Sequence, residues 1–254
     1  MISPFPDKAA LRKQAAAYVN DSKDILESCV TSAQSTKAFL DAYTLSLATH
    51  TVLGGLSSPQ LTPKLSPARS IALRVPLLAL IGQATAACTE LRRFIELIAW
   101  TVYFTDHSVE WTEFQKGKGG FERDRDKPIA YAAHRELSFY LSYANELMAE
   151  EPSSLAKSSV ASLRGTTAKL NALIHAGWVA KEKGNSAPFD AADEQALRGF
   201  ASLQSDTFAH GCVLLAAFRT RNFDKLDASS RAAFDNLVGK SLKRKIRSGP
   251  FGLQ

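Results

Sequence analysis

Cysteine is scarce in this chain: Cys29, Cys88 and Cys212 are far apart, odd in number and without a CxxC pair. A small disulfide-stapled scaffold is thereby excluded. The first residues, MISPFPDKAALRK, lack the apolar stretch of a secretory signal. Three reduced thiols and no leader point to the cytoplasm. Long uncharged runs are missing too. The longest, Val75 to Thr89, is interrupted by Pro76 and Gly82, and it falls short of the ~18–20 apolar residues of a membrane span. Val and Ile are few beside Leu and Ala, which favours helix over strand. The common enzyme signatures are absent: no HExxH, Walker sequence, GxSxG or GxGxxG occurs. KGKGG at Lys116–Gly120 has neither the preceding strand nor the GK[ST] of a phosphate cradle, and reads as a surface loop. No histidine follows a glutamate by three, as a helical di-iron site requires. His107 and Glu110 have HxxE spacing but no further ligands, so they read as loop hydrogen-bonding groups beside Trp111. No metal and no cofactor is expected.

What is present suits a helical core. The 254 residues are 45% hydrophobic and 22% charged, with a net charge of +6, which excludes disorder and allows a sizeable interior. From a cap at Asp7, apolar or small residues recur near a 3.5-residue period at Leu11, Ala15, Tyr18, Ile25, Cys29, Phe39, Tyr43 and Leu47. The spacing predicts a long N-terminal helix, or two collinear ones, closing at Gly54-Gly55. The Pro- and Gly-rich GGLSSPQLTPKLSP then reads as a linker. Ser66-Pro67 is a helix start, and one long apolar helix is expected from there to about Phe104, kinked or begun at Pro76. Residues 106–126 read as a long loop with a short turn at 109–114. Further helices are expected from Asp126 to Leu147, from Pro152 to about Lys183 with a break near Gly165, from Ala191 to Arg219, and from Ala228 to Arg247. The expected fold is an all-α bundle of six to eight helices. Its expected parts are an N-terminal helical arm or hairpin (1–55), a bundle (66–247) and a short tail (248–254).

Two groups of polar residues interrupt the apolar pattern. Glu90, Arg92, Arg93 and Glu96 stand in the middle of the central apolar helix, and Arg92 and Glu96 share a face at i,i+4. A buried charge there demands a partner whatever its role; a structural ion pair and a catalytic one both satisfy that demand. In RGTTAKLNALIHAGW, Arg164, Asn171 and His175 fall within roughly 60° of one another on a helix. His175 then borders the core beside Gly177, either as a satisfied boundary histidine or as a site residue.

Together, LRRFIELIAW (Arg92, Glu96, Trp100) and LNALIHAG (Asn171, His175, Gly177) resemble the LRxxxE and LNxxxHxG helices of uncharacterised bacterial proteins related to the HEPN superfamily, over about residues 68–247. The resemblance implies a helical bundle, often dimeric. It also implies a setting of RNA cleavage, toxin–antitoxin modules or antiviral defence. In an enzymatic form it implies His175 as general acid/base or phosphate contact and Arg92 as stabiliser of developing negative charge. Glu96 would orient Arg92, and Asn171 would position the substrate. HEPN ribonucleases use Arg-x4–6-His, and no arginine here stands in that relation to a histidine. Arg164 and His175 are about 16 Å apart along a helix, so Arg92 or a residue of a second subunit would have to substitute.

Lys240, Lys243, Arg244, Lys245 and Arg247 lie within eight residues that contain no acid, and they carry nearly the whole net charge. Such a patch suits RNA or DNA phosphates; a solvated helix end favoured by its dipole is the alternative. Two functions stand side by side. One is a HEPN-like, nucleic-acid-binding protein with metal-independent ribonuclease activity. The other is a non-catalytic interaction module that dimerises or binds a partner protein through its N-terminal helix. Neither involves a membrane.

Overall fold

The computed structural model describes residues 33–80, 83–115, 136–147, 154–174, 194–218 and 225–247, with single helical positions between 9 and 27. Among the described residues there are eight helices and no strand: α1 (Ala33–Gly55), α2 (Thr62–Leu80), α3 (Ala84–Asp106), α4 (Ser108–Gln115), α5 (Leu137–Leu147), α6 (Ser154–Ala172), α7 (Glu194–Phe218) and α8 (Ala228–Arg247). The all-α bundle expected from composition and periodicity is the observed fold. Residues 116–135, which hold the KGKGG segment and the start of the expected 126–147 helix, lie outside the described residues. So do 175–193 and 248–254.

Each helix contributes a stripe at spacings of three and four. On α1 the buried positions run Ala42, Ser46, Thr49, Val52, Leu53, and just past its end Leu56. The double glycine stops the helix as expected. Leu56 N–H donates to the Val52 carbonyl (2.9 Å), Ser57 N–H to Gly54 (3.1 Å), and the Ser57 hydroxyl to the Leu53 carbonyl (2.7 Å). The carbonyls that a helix end leaves open are thus satisfied locally. The Pro-rich segment that follows is a tight joint, and the helices on either side share one core with the rest of the bundle.

Two expectations need correction here. The helix expected to start at Ser66-Pro67 starts one turn earlier at Thr62-Pro63, which carries the same hydroxyl–proline signature. Pro63 occupies the first turn, where its missing N–H costs nothing, and Pro67 and Pro76 are held inside the helix. The single helix expected from 66 to 104 is instead a pair, α2 and α3, folded against each other. Gln83 N–H closes α2 on the Leu78 carbonyl (2.9 Å), and Ala87 N–H then opens α3 on the Gln83 carbonyl (2.9 Å). Arg74 and Glu90 stand equally far from this joint and pair across it at 3.1 Å, so the two helices run antiparallel. Apolar periodicity continues through the joint, which is why the pattern alone does not mark it.

α3 and α7 are the hubs. α3 packs on α2, α4, α5, α6 and α7, and α7 on α1, α2, α3, α6 and α8. Their crossing is close because Gly211 has no side chain: a Cβ there would lie 2.8 Å from Phe94 Cε1. Phe94 in turn packs on Phe208, with ring centroids 4.8 Å apart. α7 is tied to α1 by Gln204, whose Nε2 donates to the Ala42 carbonyl and to Ser46 Oγ, each at 2.9 Å.

Candidate functional site

Arg92 and Glu96 lie one turn apart on α3, with Arg92 Nη2 3.2 Å from Glu96 Oε1. Their side chains are 40% and 27% exposed, so the pair borders solvent and is not sealed in the core. Arg92 Nε is buried and has no hydrogen-bond partner among the described residues. Thr85 and Thr89 continue the same face by steps of four and three, the Thr89 hydroxyl donating to the Thr85 carbonyl at 2.8 Å. A half-open guanidinium held by its own helix can receive an anionic group, and the Glu96 carboxylate fixes its direction.

Asn171 is half-buried on the last turn of α6, which widens at Leu173 and Ile174 as these pack on the core. It makes no hydrogen bond to Arg92 or Glu96 among the described residues. His175 and Gly177 lie outside the described residues, so three of the four residues expected to be catalytic are placed, and of these only Arg92 and Glu96 meet. Arg164, the arginine nearest His175 in sequence, has a different partner. Its Nη2 donates to Ser142 Oγ at 2.8 Å and ties α6 to α5. The five basic residues Lys240, Lys243, Arg244, Lys245 and Arg247 belong to α8, whose backbone is helical to Arg247; their side chains lie outside the description.

His107 and Glu110 gather around Tyr103 at the end of α3. The His107 ring stacks on Tyr103 (centroids 4.0 Å apart, planes at 4°) and its Nδ1–H donates to the Tyr103 carbonyl at 2.9 Å. The Tyr103 hydroxyl donates to Glu110 Oε2 at 3.0 Å. Beside them the Tyr143 hydroxyl donates to Asp106 Oδ2 at 2.8 Å. Burial and then the Asp106 carboxylate push the Tyr143 hydroxyl up to about 12, so it remains a donor at neutral pH. Lys64 lies 4.8 Å over the Trp111 ring. These contacts stitch α3, α4 and α5 together, and no metal-binding cluster of His, Cys, Asp and Glu occurs among the described residues.

One histidine–arginine contact escaped the sequence altogether. Arg69 Nη2 on α2 donates to His50 Nε2 on α1 at 2.9 Å. Arginine has donors only, so Nε2 is the accepting nitrogen and the ring carries its proton on Nδ1. That proton faces the Arg69 carbonyl at 3.3 Å. The guanidinium rests on Gly54, where a Cβ would come within 3.3 Å of Nη2. No spacing rule joins residues 19 apart on two helices; only a correct α1–α2 packing reveals the pair.

No family model, curated protein or solved structure matches this chain. None of the described helices is long and apolar enough to cross a membrane.

Proposed function

We propose that this chain is a HEPN-like helical protein that binds RNA or DNA through the basic end of α8, in a nucleic-acid-linked process such as bacterial antiviral defence. One observation carries the reading. α8 is anchored in the core by Ser230, Phe234, Leu237 and Val238, yet its backbone stays helical for two further turns. The register positions that continue the anchored stripe are Ser241, Arg244 and Lys245. The chemistry of the helix therefore changes from apolar to cationic along its length, in a segment of five cations and no acid. Cations on a rigid rod engage a phosphate backbone without reading sequence.

The ribonuclease form of the proposal rests on Arg92 and Glu96 bordering solvent, where a phosphate has access, with His175 as general acid/base and Asn171 as substrate contact. Incubating the full chain with total RNA and comparing it with His175→Ala tests this form. Cleavage by the wild type that falls at least roughly a hundredfold in the variant is expected for a general acid/base. Equal cleavage by the two proteins, or none by either, removes catalysis and leaves binding.

A second reading, a protein-interaction module, is favoured by a different observation. Leu40 and Leu47, 52% and 45% exposed, lie one heptad apart on α1, the spacing of a helix-pairing seam. Under that reading a second copy or a partner protein covers them.

A further inference from the structure

We propose that His50 and Arg69 form a binding site for a phosphate group. Arg69 is half-buried and carries a fixed positive charge. The ion pairs among the described residues are Lys23–Glu27, Arg74–Glu90 and Arg92–Glu96, so no described carboxylate lies within 4 Å of Arg69 or of His50. Arg69 Nε is buried with no hydrogen-bond partner among the described residues. What the guanidinium has is the imidazole nitrogen of His50 at 2.9 Å and the last turn of α1, whose carbonyl end favours a cation. The last turn of α1 contains no basic residue of its own, and Arg69 supplies that cation from α2.

Neutral imidazole is a weak partner for a guanidinium; an oxyanion makes shorter, charge-assisted bonds. A phosphate oxygen entering between Arg69 Nη2 and His50 Nε2 accepts a hydrogen bond from each, once Nε2 has taken one proton from solvent. The imidazolium so formed keeps its Nδ1–H on the Arg69 carbonyl. Two cations then face one anion, where the empty site has a cation facing a lone pair. Both residues are half-buried, so the pair is held by packing and still meets solvent. Gly54 forms the floor, since any side chain there crowds the guanidinium. Of the elements packed on α1, α2 presents Arg69 itself, while α8 brings Leu226 and Ser230 against Gly55. No charged group from α7 or α8 is within ion-pair distance of His50 among the described residues. The site is independent of the basic end of α8 and stands or falls separately from it.

The test is a titration of the full chain followed by the His50 ring signals in NMR. Sulfate serves as the pH-invariant oxyanion, and inorganic phosphate and a short RNA with a 5′-phosphate serve as the two biological sources. Saturable shifts of His50 are expected, with binding roughly tenfold tighter at about pH 5.5 than at about pH 8, because the site takes up a proton. Arg69→Met is expected to abolish the shifts. His50→Gln keeps an acceptor for Arg69 and so keeps the joint, but it cannot become a cation, and its sulfate binding should lose the pH dependence. A response to the phosphorylated RNA at lower concentration than to inorganic phosphate assigns the site to nucleic acid. A response to the inorganic ion alone assigns it to free phosphate; either outcome supports the site. No saturable shift in the wild type, shifts that survive in Arg69→Met, or the same pH dependence in His50→Gln overturns it. The last comparison decides the matter if Arg69→Met fails to fold.

Discussion

At the scale of single residues, two glycines inside long helices have opposite roles. Gly211 lies where α7 crosses α3, and the space of its absent Cβ is taken by Phe94. Phe94 is fully buried and cannot swing away, so Gly211→Ala overpacks the core and should cost about 1–3 kcal/mol. Gly165 is exposed in the interior of α6, and a Cβ there meets nothing within 4 Å. Gly165→Ala only removes backbone freedom from the unfolded chain, and should stabilise by about 0.5–1 kcal/mol. Urea midpoints of the two variants, moving in opposite directions from the wild type, check both. The sequence suggests a helix break near Gly165, and the helix runs through it unbroken. One exposed glycine is a small penalty that α6 offsets with the buried stripe Ser159, Val160, Leu163, Thr166 and Leu170. Cys88 and Cys212 are core residues whose thiols burial pushes upward, Cys88 to about 11. They are packing residues, as their isolation in the sequence suggests.

At the scale of elements, helix ends are the points at which a short sequence signal and a measured contact agree or part. α8 begins at a strong cap: Asp227 Oδ1 accepts the Ser230 N–H at 2.6 Å. The Ser230 backbone N–H, then the Ser230 hydroxyl, hold the Asp227 carboxyl below its ordinary value of 3.8. A carboxyl lowered in the folded state adds stability that is fully present above the unfolded value and is lost as pH falls through the folded one. The acid limb of thermal stability below about pH 4 should therefore be shallower in Asp227→Asn, which keeps a capping oxygen but cannot titrate. An unchanged acid limb would show that the cap carries no proton linkage. α7 and α8 were legible within a few residues because loop residues flank them and each carries one clear apolar stripe. The α2–α3 hairpin was not. Its apolar positions run on without a break, the obvious prolines lie within α2, and the true turn is made by backbone bonds at Leu78 and Gln83. Across the hairpin the Arg74–Glu90 pair is more than half exposed on the arginine side. It reports the antiparallel register and contributes little to stability.

At the scale of the whole molecule, charge is segregated along the chain. Residues 94–115 hold Glu96, Asp106, Glu110 and Glu113 with no lysine or arginine, while 240–247 hold five cations with no acid. The net +6 is therefore a property of one helical end, and binding to a polyanion should depend on that end alone. In the variant with Lys243, Arg244 and Lys245 changed to Ala, RNA affinity should fall. The slope of log affinity against log salt should flatten by up to about 2–3, since each lost phosphate contact on a single strand releases fewer counterions. An unchanged slope would place RNA binding elsewhere and remove the role proposed for α8.

Composition and periodicity determined that this protein is a helical bundle, because a chain rich in Leu and Ala with stripes at three and four residues buries itself most simply as packed helices. The i,i+4 meeting of Arg92 and Glu96 was equally legible, because a helix sets the distance between its own residues. Residues on different helices are another matter. That Arg164 reaches Ser142, that Gln204 reaches Ala42 and Ser46, and that Arg69 reaches His50 all depend on which faces pack and where each helix turns back. Those choices are made by the fit of whole surfaces, summed over many weak contacts, and only the tertiary structure decided them.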